Sequence, residues 1–480
     1  MKLESVFLMV FLIILVASSF AALGVQSVKV SGTIYIRDDG SVDPYDAPIS
    51  TIDNVTYTLT GNITGDYGSA LLLERDNIVV DGSAHTIEGV PEYGIGIWLN
   101  GRNNVTIRNM NVLNFRIGIY LDSCSLISIN ANTLEKCYLY GIWLHFSSLI
   151  SIYGNSLARN WNGIWLDSSS GNTISANSET NNGMGIFLIC SSNNSISGND
   201  ITNGGDIYDG GGGIHLSLSS NNSIAGNNIA DNGYVGIRIS SSTNNSISEN
   251  TIANNSHGII FSQYRGDFTL GPLSSFNSIW HDNFINNTVQ VGGDDIYLSG
   301  WVEFWDNGCE GNYWSNYNGT DANPDGIGDT EYVIDANNTD NYPLMGMFSE
   351  FDWVSLAAPE QRIQTVCNST ISDLVYNGTA ISFNVTGEDG IAGFCRISIP
   401  TILLNVTYKV FVNGTEATYR LLPFSNETYR YLYFNYTHST QEVIITPEFP
   451  SFLILPLFMM AVSLAVVVYK KKHARISEGL

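Results

Sequence analysis

Basic side chains are scarce in this chain of 480 residues: 20 Lys and Arg stand against 45 Asp and Glu, a formal net charge of −25. Five of those bases, Lys2, Lys470, Lys471, Lys472 and Arg475, lie at the extreme ends, so the middle is more acidic still. A phosphate polyanion would be repelled, which excludes nucleic-acid binding as a main function. Proline is rare (12 residues) and charged residues make up only 14 %, while the apolar share of 44 % is too high for a disordered chain. Helical periodicity is missing from the body of the sequence. Seven His and eight Met form no His-x-His, Met-rich or Cys-x-x-Cys cluster, so copper is not expected.

What is present begins with two apolar ends. Residues 1–22 carry an apolar run, Val6–Val16, followed by small residues, and read as a secretory signal peptide. Residues 452–469 hold no charge and are long enough to cross a bilayer as a helix. The basic tail 470–480 that follows would stay cytoplasmic, which puts everything before it on the extracellular face. Asn-x-Ser/Thr sites such as Asn54, Asn104, Asn221 and Asn435 agree with export, as does an even count of six cysteines. Cys367 with Cys395 is the first candidate disulfide and Cys124 with Cys137 the second, with free thiols the alternative.

An internal repeat sets the fold. Gly-Ile-x-Leu/Ile recurs from Gly96, Gly118, Gly141, Gly163, Gly185, Gly213 and Gly236, with a looser copy from Gly258. The interval is 22 or 23 residues, except for one of 28. Each period holds two or three short strands parted by Gly, Asn and Ser turns. Leu-x-x-Leu-x-Leu spacing is absent, so the units read as coils of a right-handed parallel β-helix, stacked at about 4.8 Å. Alternation puts Ile142 and Leu144 inside and the residue between them outside. Asn132, Asn155, Asn177, Asn199, Asn227 and Asn250 share one register. They are read as a structural ladder of turn residues able to adopt the left-handed conformation and bond coil to coil. The β-helix is placed at 30–310, a cap at 311–345, and a small β-sandwich, a stalk or spacer, at 352–445.

The wording of the coils, as in Asn193-Asn-Ser-Ile-Ser-Gly-Asn199, resembles the NosD-like β-helix proteins of the pectin-lyase-like superfamily. Gly311–Tyr317, Asp321–Asp329 and Asp340–Met345 resemble that family's closing segment. The likeness covers about residues 30–345. It implies an association with copper and accessory work for a metalloenzyme, which the ligand-poor sequence does not support. Pro447-Glu-Phe-Pro450 resembles an archaeal surface-sorting signal, which implies an archaeosortase-like processing enzyme that could remove the terminal helix.

Candidate chemistry lies on the outward positions. The x residues run Trp98, Tyr120, Trp143, Trp165, Phe187, His215, Arg238 and Ile260. Five aromatics on adjacent coils would form a stripe on which a polysaccharide could lie, or else would brace neighbouring strands. Two residues further along come Asn100, Asp122, His145 and Asp167. Asp122 and Asp167, two coils and about 9.6 Å apart, fall near the upper end of the roughly 6.5–9.5 Å of inverting glycosidases. The alternative is ordinary strand-end Asp and His. Asp206, Asp209, His215, Arg238 and Asp267 make a second candidate pocket, rimmed by two longer loops. In Asp321–Asp329, oxygen donors at Asp321, Asn323, Asp325 and Asp329, with the Ile327 carbonyl, match the spacing of a calcium loop. Tyr332 stands where an EF-hand has Glu, so Glu331 or Asp335 would have to compensate; a plain Asx-rich turn is the alternative. The expected protein is thus a tethered surface β-helix that binds carbohydrate or envelope polymer. A polysaccharide hydrolase, lyase or epimerase on the same sheet is the runner-up.

Overall fold

The computed structural model describes residues 28–29, 32–205, 211–264, 271–293, 301–352, 361–404 and 407–448. Every regular element among them is a β-strand. The signal peptide 1–22, the membrane helix 452–469 and the tail 470–480 lie outside the described residues, as do Asp206, Asp209 and Asp267. Two compact units are present, residues 1–319 with 330–343 and residues 320–329 with 344–480, so the 311–345 segment is shared between them.

The first unit is a parallel β-helix. Each coil contributes one strand to each of three sheets, two of twelve strands and one of eleven, and nearly all neighbours pair in parallel. Each Gly-Ile-x-Leu block lies in a six-residue strand, such as Tyr140–His145 or Asn162–Asp167, and these stack in strict register. The repeated glycine is required by close approach. A Cβ on Gly118, Gly141 or Gly163 would stand 2.5–2.8 Å from the carbonyl oxygen of the glycine one coil on. Inside, rows of Ile and Leu such as Ile119, Ile142, Ile164 and Ile186 are fully buried and form one continuous core. The far end is closed by aromatics: Trp305 and Trp314 are 1 % exposed, and Trp314 stacks on Phe284 at 4.2 Å and on Tyr332 at 4.4 Å.

The asparagine register is a ladder, as expected, but its conformational role differs. Asn132, Asn155, Asn177, Asn199, Asn227 and Asn250 are buried, and each donates its backbone N–H and Nδ2 to the side-chain oxygen one coil on, at 2.8–3.0 Å. The left-handed residue is the one before: Ala131, Gly154, Ala176, Gly198, Gly226 and Glu249. The turn separates the two tasks, since a side chain aimed along the axis needs its own backbone free of the reversal. Two further Asn ladders, from Asn172 and from Asn232, and a Ser ladder through Ser147, Ser169 and Ser191 run parallel to it. The ladder bonds all run one way along the axis, while Nδ2 also donates back to a carbonyl of the previous coil, as from Asn132 to Ile107 O and from Asn155 to Ile129 O. Two ladders run onto acids: Asn250 onto Asp282, whose N–H donates on to Asn312 Oδ1, and Asn277 onto Glu303, whose N–H donates on to Asn338 Oδ1.

The second unit packs two antiparallel five-stranded sheets around one core, the expected sandwich. Ile397, Leu432 and Phe434 of one sheet meet Phe383, Val443 and Ile445 of the other. Asn413-Gly414 takes positive φ at both residues, as a tight hairpin needs. Cys367 and Cys395 are register partners on adjacent strands, both buried and both thiols here. Burial, and then Cys367 beside it, push the Cys395 thiol well up. Cys124 and Cys137 are buried thiols of the β-helix.

Glu179 breaks the interior pattern. It occupies the core row of Leu134, Leu157 and Ile201, is 1 % exposed, and its Oε1 has no hydrogen-bond partner. Asn182 Nδ2 lies 3.5 Å from Oε2. Burial pushes its carboxyl up to about 8, and does the same for Asp282 and Glu303 in the ladders. Folded protein therefore keeps protons that the unfolded chain releases above about pH 4.5. The stability these three groups contribute is greatest below that value and falls as pH rises towards 8. Glu179→Leu should leave stability at pH 4.5 nearly unchanged and raise it at pH 8 by on the order of 4 kcal/mol, read from denaturant unfolding at the two pH values.

Candidate functional site

All eight x residues stand on the outward face of one sheet, in direct register from Trp98 through Tyr120, Trp143, Trp165, Phe187, His215 and Arg238 to Ile260. The row is half-buried, apart from Phe187 at 9 % and Ile260 at 2 % exposed. The rings pack on one another. Trp98 and Tyr120 are 6.4 Å apart and Tyr120 and Trp143 4.4 Å, both stacked, while Trp165 tilts on Phe187 at 4.2 Å. Tyr140 wedges between Trp143 and Trp165 at 5.1 and 5.0 Å. Much of each ring face is thus used within the row. The indole Nε1 groups of Trp98 and Trp143 are covered and without partners, a condition that costs about 1–3 kcal/mol per donor.

Beside the row, His145 stands between two carboxylates. Its Nδ1 is 3.2 Å from Asp122 Oδ1 and its Nε2 4.0 Å from Asp167 Oδ2. These come from three adjacent strands at the same register position. Burial, and then the charges of Asp122 and Asp167, raise the Tyr120 phenol. Further along, His215 Nε2 is 3.0 Å from Ser240 Oγ, and Arg238 Nε donates to Ser262 Oγ at 3.3 Å. Burial, and then the Arg238 charge, push His215 well below its usual value, so it is neutral at pH 7. His215 and Arg238 continue the aromatic row instead of converging with the Asp122–His145–Asp167 group.

Sequence reasoning missed the row's beginning. Tyr35 and Leu72 precede Trp98 in register, and an open cavity of about 530 Å³ is lined by Asp38, Leu72, Glu74, Trp98, Asn100 and Arg102. Arg37 holds Glu74 at 3.2 Å and lies 3.8 Å over the Tyr35 ring. These coils lack Gly-Ile-x-Leu; only extending the 22-residue register backwards would have found them.

The Asp321–Asp329 loop belongs to the second unit. Asp321 accepts from the amides of Asp325 and Gly326, Asp325 from that of Ile327, and Asp329 from that of Ala322. Asn323 Nδ2 donates to Asp325 Oδ2 at 3.1 Å. Burial, and then repulsion from Asp325 and Asp329, raise the Asp321 carboxyl. Tyr332 is engaged elsewhere, stacking on Trp314. Among the described residues no group of three or more His, Cys, Asp or Glu is disposed to hold a metal ion.

The three-stranded coils, stacked in parallel register, define a parallel β-helix protein. The model of the family described as periplasmic copper-binding protein (NosD) matches residues 51–208 and 163–319, more than half of the chain, and the chain belongs to that family. No curated protein matches it significantly. Among solved structures, the A-module of mannuronan C-5 epimerase AlgE6 from Azotobacter vinelandii is similar at 15 % identity, with 60 % of this chain and 92 % of that one covered and a TM-score of 0.39. The periplasmic alginate epimerase AlgG is 16 % identical over 58 % and 84 %, TM-score 0.38. DFA-IIIase from Arthrobacter chlorophenolicus is 13 % identical over 50 % and 65 %, TM-score 0.35. The residues here do not fit copper: His85 meets Asn62, His145 two carboxylates, His215 a serine and His281 Glu310, with no two His sharing a site among these contacts.

Proposed function

We propose that this chain is an exported, membrane-tethered β-helix protein that binds a carbohydrate or cell-envelope polymer along its aromatic sheet without turning it over. The observation that supports this is the in-register row from Trp98 to Phe187, flanked by Glu74, Asn100, Arg102, Asp122, His145 and Asp167. A sugar ring has an apolar face and a hydroxyl edge, and aromatic rings beside planar polar side chains complement both. Trp98, at the mouth of the cavity, anchors one end of the track. A second reading, a polysaccharide hydrolase or lyase, is favoured by His145 lying between Asp122 and Asp167, where it could pass a proton between them.

The extracellular face of the membrane is the proposed location, with 452–469 as anchor unless an archaeosortase-like enzyme removes it. In that oxidising setting Cys367 and Cys395 close into a disulfide, a pairing supported by their register. The Asp321 loop takes calcium in a structural role, supported by donor spacing and by the mutual repulsion of its three carboxylates. Binding would exchange amide hydrogen bonds for metal ligands.

Three measurements test these points. On a polysaccharide array with a parallel turnover assay, the full-length chain in detergent should bind and release no product, and Trp98→Ala or Trp143→Ala should weaken binding about tenfold, roughly the loss of one aromatic contact. Product release that Asp122→Asn abolishes would instead establish the enzyme. Alkylation of denatured, unreduced protein should leave Cys367 and Cys395 unlabelled; labelling of both defeats the disulfide. Calorimetric titration with calcium should show one weak site, lost in Asp325→Ala; no heat in the parent chain rules the site out.

A further inference from the structure

A second, more open aromatic surface lies at the corner where each coil leaves one sheet and enters the aromatic sheet. Tyr138 is 53 % and Trp161 52 % exposed, whereas the rings of the main row are half-buried and stacked on each other. Together with Pro91, Lys136, Arg159 and Asn181 they line an open groove of about 570 Å³, within the size range of small-ligand sites, roughly 300–1,000 Å³.

The backbone shows that the fold alone does not select these residues. The position that follows each short strand here is left-handed in coil after coil. It is filled by Asn114, Lys136, Arg159, Asn181, Asn203, Asp231, Asn254 and Asn286, with φ between 52° and 59°. Seven of them donate the N–H in the same way to a carbonyl of the next coil, Lys136 to Ala158 O and Asn181 to Thr202 O, and Asn286 donates to Ser315 Oγ. Six of the eight are Asn or Asp, the non-glycine residues that tolerate this conformation best. The two exceptions are both cations, on adjacent coils, in a chain with 20 bases to 45 acids. They stack like charge on like charge, and both reach the same carboxylate, Glu135. One coil on, Gly183 follows Trp161, and a Cβ there would stand 2.5 Å from the Trp161 carbonyl oxygen, so Gly183 leaves that side of the groove without a side chain.

We propose that this corner groove is a separate carbohydrate subsite, in which Trp161 and Tyr138 hold the apolar face of a sugar ring while Lys136 and Arg159 donate to its oxygen-bearing edge. Lys and Arg offer donors only, so the ligand edge must be rich in acceptors: hydroxyl and ring oxygens of a neutral sugar, or the carboxylate of an acidic one. Carbohydrate as the ligand class rests on the function proposed above, but the groove and its residues are independent of the aromatic row.

The decisive variants restore the residue the other coils use. Full-length chain in detergent is titrated with neutral hexose oligosaccharides and with oligouronates, beside Lys136→Asn/Arg159→Asn and Trp161→Ala. The double variant should melt no lower than the parent, yet lose at least tenfold in affinity, as should Trp161→Ala. Loss confined to oligouronates identifies an acidic sugar, and loss with both probes a neutral edge; either result supports the subsite. Unchanged affinity in both variants overturns it and leaves the aromatic-row reading standing. A parent chain that binds neither probe overturns both.

Discussion

Everything in the first unit depends on each coil lying one strand spacing, about 4.8 Å, from the next. At that distance the turns cannot turn their polar groups to water, because the neighbouring coil covers them. Each buried Asn or Ser therefore finds its partner one period along. A single misfit would orphan donors in a low-dielectric interior, at about 1–3 kcal/mol each. The ladders thus enforce the period as firmly as the Ile and Leu rows do. They also explain where carboxylates can be buried. Asp282 and Glu303 take an acceptor's place within such files, receiving from Asn250 and Asn277 and passing their own N–H on to Asn312 and Asn338.

The fold was legible because this constraint writes itself into the chain at a fixed interval. Gly-Ile-x-Leu gave the inward and outward faces, and the Asn register gave one ladder correctly. The division of labour between a left-handed residue and the ladder residue after it was not legible. Asn suits either task, and only the backbone shows which one Asn155 performs. The site was less legible still. Sequence alternation tells which side of a sheet Trp143 takes, but not that Tyr120 and Tyr140 cover its faces. Nor could it place Glu74 beside Trp98, since its coil lacks the glycine that marks the others.

These two levels of legibility share a cause. Residues needed for stacking recur every 22 or so positions and can be averaged over many coils. Residues kept for a ligand occur once or twice and look like noise against the repeat. The informative positions are then the departures from it: Glu179 among aliphatics, Lys136 and Arg159 among asparagines. A departure towards a better-fitting residue requires no functional explanation. One that adds strain or an orphaned charge does.

Departures of the second kind fall on neighbouring coils. Asp122 to Asp167, Lys136 with Arg159, and Glu179 all occur between residues 120 and 179, while coils further along carry Ile or Ser, Asn or Asp, and Ile at the respective equivalent positions. A β-helix tolerates such local cost because each coil contacts only its neighbours, and unstrained coils on both sides hold the strained ones in place. The binding surface proposed above, from the Trp98 cavity to Phe187, likewise occupies one continuous stretch of coils. The coils beyond residue 212 carry the row on through His215 and Arg238 to the closing tryptophans that seal the core.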